Sequence, residues 1–151
     1  MYTKEELKQL KVEFWEGFAA YCEVQPYLWG RKKMWRLYDT KVKGVELKFE
    51  ANRTAAEVIL EVNHRREDDR LAMFEKLTWY KECLERDLPD EVIWDICYTR
   101  ESGEEVARVY VRKEGIDIHR RTHWGDFFPF MASRMYQLEK NFLSIADYVR
   151  E

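Results

Sequence analysis

The sequence predicts an α+β fold: a four-stranded antiparallel sheet made of two hairpins and packed by three helices, in the order α-β-β-α-β-β-α. Three observations predict it. Gly44 to Asn63, GVELKFEANRTAAEVILEVN, alternates apolar and polar residues with the period of two that half-buried strands require. Val92 to Arg112 repeats the alternation around Ser102-Gly103, a turn dipeptide. Segments with apolar residues at helical spacing precede, separate and follow these two hairpins.

Thr3 and Glu6 have the capping-box spacing, in which each side chain accepts a hydrogen bond from the other residue's backbone N–H. A helix from Lys4 to about Cys22 follows, with Leu7, Leu10, Phe14, Phe18 and Tyr21 as its apolar stripe, and Pro26 ends it. Met34 to Tyr38 reads as a short fifth strand leading into the first hairpin. There, a loop at Asn52 to Ala55 sets Phe49 opposite Val58 and Leu47 opposite Leu60, so that Val45, Leu47, Phe49, Val58, Leu60 and Val62 share one face.

His64 to Arg86 reads as the second helix, with Asn63 as its cap, the acids Glu67, Asp68 and Asp69 in its early turns, and Leu71, Phe74, Leu77 and Leu84 on one side. Asp87 to Asp90 stops it. In the second hairpin a two-residue Ser102-Gly103 turn pairs Trp94 with Val111, Ile96 with Val109 and Tyr98 with Ala107, all six facing the core. Asp95, Cys97, Arg108, Tyr110 and Arg112 then face outward. The last helix carries Phe128, Met131, Met135, Leu138, Phe142, Ile145 and Val149, with Asp126 as cap and Pro129 in the tolerant first turn. Such a stripe must be covered, by the sheet in a closed monomer or by a second chain in a homodimer. The closed monomer is the expectation, because two helices leave a sheet of this size incompletely covered.

A chain of 151 residues predicts a single domain, 1–151, with one core. Its composition, 46% hydrophobic and 36% charged, is that of a soluble globular protein and not of a disordered one. No apolar run approaches the roughly 20 residues of a membrane span, and MYTKEELKQL has no apolar signal core, so no membrane association and a cytoplasmic location are expected. Cys22, Cys83 and Cys97 are odd in number and lack CxxC spacing, which fits a reducing compartment and no disulfide framework or zinc knuckle. No glycine-rich phosphate loop is present, and no cofactor is expected.

A net charge of −3 argues against a generally basic nucleic-acid binder but allows a local patch. Tyr27 to Lys43, YLWGRKKMWRLYDTKVK, is that patch: Arg31, Lys32, Lys33, Arg36, Lys41 and Lys43 stand against Asp39 alone, with Trp29, Trp35 and Tyr38 interleaved. Arginine and lysine neutralise phosphates while an exposed aromatic ring stacks on an unpaired base. The candidate contacts are Arg31, Lys32, Lys33, Trp35 and Arg36, joined by Arg120 and Arg121 if the fold brings them together. In the competing reading the tryptophans are core residues ringed by cations, or the patch meets another protein.

Other patterns carry less. Glu46-Leu47-Lys48 has the E-x-K spacing of a PD-(D/E)xK nuclease, in which two acids hold Mg²⁺ and the lysine orients the attacking water. Asp39 is the acid shortly before it, with little room for a strand to deliver it. The alternative is a charged ladder with Lys48 diagonal to Glu57 and Glu61. His119 and His123 would share a face if helical, near Asp117 and Asp126, but Arg120 and Arg121 oppose a cation there. Cys97 has no defined histidine partner. No catalytic residue and no metal ligand is therefore assigned.

FWEGFAAYC in the first helix, VELKFE and VILEVNH in the first hairpin, RLAMFEKL in the second helix, IWDICY in the second hairpin and the late THWGDFFPFM resemble the DUF4268 family of bacteria and archaea over nearly the whole chain. The resemblance lies in apolar and aromatic framework positions. In that family the domain stands alone or follows a part similar to a restriction-type nuclease. It therefore implies a context of nucleic-acid processing or phage defence, and supplies no catalytic residue. The function expected is a non-enzymatic domain that binds nucleic acid or a nuclease-type partner. A structural protein-protein module and a Mg²⁺-dependent nuclease are the alternatives.

Overall fold

The computed structural model describes residues 2–29, 37–40 and 42–150, with Leu37–Asp39 as backbone alone. Its elements are α1 (Lys4–Glu23), β1 (Leu37–Asp39), β2 (Val45–Ala51), β3 (Ala55–Val62), α2 (Glu67–Trp79), α3 (Lys81–Glu85), β4 (Ile93–Thr99), β5 (Glu105–Glu114) and α4 (Trp124–Val149). The strands form one antiparallel sheet in the order β1-β2-β3-β5-β4. The two hairpins supply four of them, and β1 is the short fifth at the β2 edge.

The first hairpin has the register its alternation requires: Val45 opposes Val62, Leu47 opposes Leu60 and Phe49 opposes Val58. The loop is fixed by Asn52, whose Oδ1 accepts from the Thr54 backbone at 2.8 Å, the Thr54 hydroxyl at 2.9 Å and the Ala55 backbone at 3.0 Å. Val58, Leu60 and Val62 lie in turn beside Val111, Val109 and Ala107 of β5, which completes an apolar inner face.

All four helices contribute buried side chains to the core on that face. The thirteen-residue rhythm of α2 supplies Met73, Phe74 and Leu77, and the ring of Phe74 meets Trp94 edge-on at 5.8 Å. On the other flank, the capping box of Thr3 and Glu6 starts α1, and Phe18 meets Phe49 edge-on at 5.1 Å. Met131, Met135, Leu138, Phe142, Ile145 and Val149 of α4 are buried in the same core, so the C-terminal stripe is covered within the chain. No helix among the described residues is long and apolar enough to cross a membrane.

Three local expectations are corrected. The second hairpin closes with three loop residues, not two: the Arg100 N–H donates to Glu104 O at 2.8 Å, and Gly103 takes φ 93°, which suits a glycine. A bulge follows, in which Ile96 and Cys97 together oppose Ala107 between the pairs Asp95–Arg108 and Tyr98–Val106. Trp94 therefore opposes Val109, Ile96 is 52% exposed, and Tyr98 turns to the outer face. The second helix begins at Glu67 and breaks at Tyr80 into α2 and α3, while Asn63 spends its side chain on Glu61 instead of a cap. The last helix begins at Trp124, two residues before Asp126, so Pro129 stands in its second turn and removes the bond to the Gly125 carbonyl.

Candidate functional site: the charged face of the sheet and its aromatic margin

The outer face of the sheet is built from the alternate residues of the same strands. β3 is buried along its whole length, so Glu57, Ile59 and Glu61 are as inaccessible on this side as Val58, Leu60 and Val62 are on the other. Charges can be buried there because each meets an opposite one. Arg108 is 1% exposed; its Nη2 lies 3.2 Å from Glu57 and 3.1 Å from Glu50, and its guanidinium stacks 3.9 Å from the ring centroid of Tyr98. Arg112 adds a 2.8 Å bond to Glu57.

Glu61 is held by the Lys48 ammonium at 2.6 Å and by Arg100, which reaches back from the hairpin tip. Burial alone would raise its carboxyl, yet the bonds from Lys48 and Arg100 outweigh that and hold it below the ordinary carboxylate range. The bond to Glu57 likewise raises the Arg112 guanidinium. Of the diagonal ladder expected of Lys48 with Glu57 and Glu61, the Glu61 half forms, while Glu57 takes Arg108 and Arg112, which the sequence also places on the outward face. Lys48, Arg100, Arg108 and Arg112 are each paired with Glu50, Glu57 or Glu61, so these charges neutralise one another locally.

The nuclease pattern falls on this face. β1 does deliver an acid, since Asp39 stands in register with Glu46. The objection that the connection is too short for a strand is thus removed. Lys48, however, is engaged by Glu61, and among the described residues no group of three or more histidines, cysteines or acids is placed to hold a metal ion.

Of the sequence-predicted contacts, Arg31, Lys32, Lys33, Trp35 and Arg36 lie outside the described residues. The segment leading into them is described. Trp29 is 69% exposed, and its indole N–H donates to the Glu23 carbonyl at 3.0 Å. Tyr27, also exposed, packs edge-on against Tyr136 at 5.2 Å, and burial pushes its hydroxyl up.

Arg120 and Arg121 differ from one another. Arg121 is paired with Glu13 at 2.9 and 3.0 Å and stacks on Trp124, whereas Arg120 is exposed beside the β2–β3 loop. His119 and His123 occupy a loop and a short 3₁₀ turn, not one helix face: the His123 Nδ1 accepts from the Asp117 backbone at 3.0 Å. Cys97 is exposed at the bulge, and none of the cysteines is in a disulfide. Tyr98 and Arg100 join the outer-face network without being picked out by the sequence pattern. The repeated acids of β3 facing the repeated arginines of β5 were the available signal.

The sequence matches the family described as Domain of unknown function (DUF4268) over residues 10–145. The chain belongs to that family. The match spans the core elements from α1 into α4, which makes the two-faced sheet part of the family's domain in this chain. Among curated proteins and among solved structures, none matches.

Proposed function

We propose that this DUF4268 chain is a non-enzymatic binding module, acting as one monomeric domain in a reducing cytoplasm, that engages single-stranded nucleic acid or a nuclease-type partner holding it. The observation that carries this reading is Trp29. An indole that is 69% exposed has its one polar atom bonded inward to the Glu23 carbonyl, and among the described residues its ring has no aromatic or cation–π partner. Arg31, Lys32 and Lys33 follow directly in sequence. A ring that stacks and cations that neutralise phosphate are the two parts of a sequence-tolerant single-strand site. The well-paired outer face supports a non-catalytic role, since its charges are consumed by one another.

Anisotropy of a labelled oligothymidylate tests the reading. Trp29→Ala is expected to weaken binding by about 1–3 kcal/mol, the worth of one stacked base. Changing Arg31, Lys32 and Lys33 to Ala should flatten the salt dependence by about 0.7 for each phosphate no longer neutralised. Parent protein that shows no salt-sensitive binding removes the proposal. If the same variants instead abolish capture of a protein with the oligonucleotide absent, the interaction-module alternative takes its place.

A second reading is favoured by one observation, the register of Asp39 against Glu46 two residues before Lys48. A nuclease of the PD-(D/E)xK type would use those three residues with Mg²⁺. Mg²⁺-dependent cleavage that disappears in Glu46→Gln would support it, and parent protein inert toward DNA and RNA with Mg²⁺ or Mn²⁺ would end it.

A further inference from the structure

A second basic feature lies at the far end of the β2–β3 hairpin. Arg53 sits at the tip of the Asn52-anchored loop, Arg112 near the end of β5, and Arg120 in the segment after β5; together with His123 they line one cleft of about 620 Å³. The three segments are strapped together. The Gly115 N–H donates to Thr54 O at 3.0 Å, and the Ile118 N–H to Asn52 O at 3.2 Å. Gly115, at φ 84°, makes the reversal that brings the post-β5 segment back over the loop.

The acids of the cleft are already engaged. Glu114 pairs with Arg112 at 3.1 Å, and the Asp117 carboxylate accepts from the His119 backbone at 2.8 Å. Arg53 and Arg120 have no ion-pair partner among the described residues. Two such cations lining one cleft draw an anion to it. His123 adds direction: its Nδ1 accepts the Asp117 N–H, so the neutral ring carries its hydrogen on Nε2.

We propose that the cleft formed by Arg53, Arg112, Arg120 and His123 is a binding site for a phosphate group. Arg53 and Arg120 line it from two different segments, and Arg112, whose Nε and Nη1 already serve Glu114 and Glu57, borders them; two separate guanidinium forks suit a group with several acceptor oxygens. The phosphate comes either from a nucleic-acid backbone or from a small phosphorylated compound. The site uses none of the residues on which the Trp29 reading rests, so the two stand or fall separately.

The test is a backbone-amide NMR titration of the full chain, followed at Thr54 and Gly115, with inorganic phosphate and with oligothymidylate as probes. Saturable shifts of these amides by inorganic phosphate are expected. The variant Arg53→Gln/Arg120→Gln, altered at two exposed side chains, should weaken that binding by about ten-fold or more. Lys140→Gln, exposed on α4 and outside the cleft, should leave it unchanged. Oligothymidylate that moves the same amides and is displaced by phosphate identifies the backbone as the source. Phosphate shifts that oligothymidylate does not reproduce identify a small phosphorylated compound. Absence of saturable shifts with both probes, or equal binding by the double variant with its amide spectrum otherwise intact, overturns the proposal. Trp29→Ala keeps the phosphate shifts in either case, which separates a failure of the stacking site from a failure of the cleft.

Discussion

The two faces of the sheet are built by the same strands, and along β3 they are buried to similar depth, yet by opposite means. Along β3, Val58, Leu60 and Val62 are covered by helices, while Glu57 and Glu61 are covered by the arginines and lysine that neutralise them. The apolar face tolerates approximate partners, because burial is non-directional and scales with area. The charged face does not, since each buried ion is stable only with its own counter-charge in place. The inner face should therefore fail in proportion to volume removed, and the outer face by the loss of single partners.

The largest effect is expected on the inner face. Leu138→Ala empties a fully packed position and should cost about 2–5 kcal/mol in urea unfolding. Because the α4 stripe is covered within the chain, that loss should not vary with protein concentration. A transition midpoint that climbs with concentration would show that a second chain contributes to the stability of this face.

On the outer face, Arg108→Met should cost about 3 kcal/mol, at the low end for breaking a buried pair because Glu57 keeps Arg112. The double variant Arg108→Met/Glu57→Gln should cost less than the sum of the single changes, since the Arg108–Glu57 interaction that both remove is lost only once. Strict additivity in this cycle would mean that the two faces behave alike, and the contrast between them would disappear.

The first hairpin was legible in sequence because its two faces differ in polarity and its loop is set by one asparagine, so a period of two leaves one register. The second was not. Gly103 closes a three-residue loop and the bulge at Ile96 and Cys97 adds a residue on β4, and a short alternating pattern encodes neither shift. The break at Tyr80 escaped for a related reason: Leu77 and Leu84 remain in phase across it, so periodicity runs through a helix end. As for the candidate site, arginine and lysine counts single out Tyr27 to Lys43 but cannot tell the paired Arg121 from the unpaired Arg120, because Glu13 lies more than a hundred positions away.

Acid should find the outer face first. Glu61 is held below the ordinary carboxylate range by Lys48 and Arg100 against the opposing effect of burial. A group with a lowered folded pKa stabilises the fold above its unfolded value, about 4.3 for glutamate, and that contribution is lost as pH falls from there through the folded value. Stability measured from neutral to acid pH should decline in that window, and Glu61→Gln should show a shallower decline from a lower starting point. A variant with the parent's full acid slope would assign the loss to other carboxylates.

The smallest expected effect decides the register of the second hairpin. In the regular two-residue-turn pairing, Ile96 would oppose Val109 inside the core, and Ile96→Ser would remove most of a buried side chain while burying a hydroxyl, a loss of at least about 2 kcal/mol. With the bulge, Ile96 is exposed and lies outside the hydrophobic core, so the same change should stay within about 0.5 kcal/mol of the parent. Tyr98→Leu provides the complement, because the bulge is what turns that ring over Arg108. It should cost more than Ile96→Ser, by about 1–2 kcal/mol, because the cation–π interaction and the cover over the guanidinium both go with the ring. The reverse order, with Ile96 the sensitive position and Tyr98 the tolerant one, would restore the regular ladder and leave Arg108 only the Tyr110 ring, whose centroid lies 4.9 Å away.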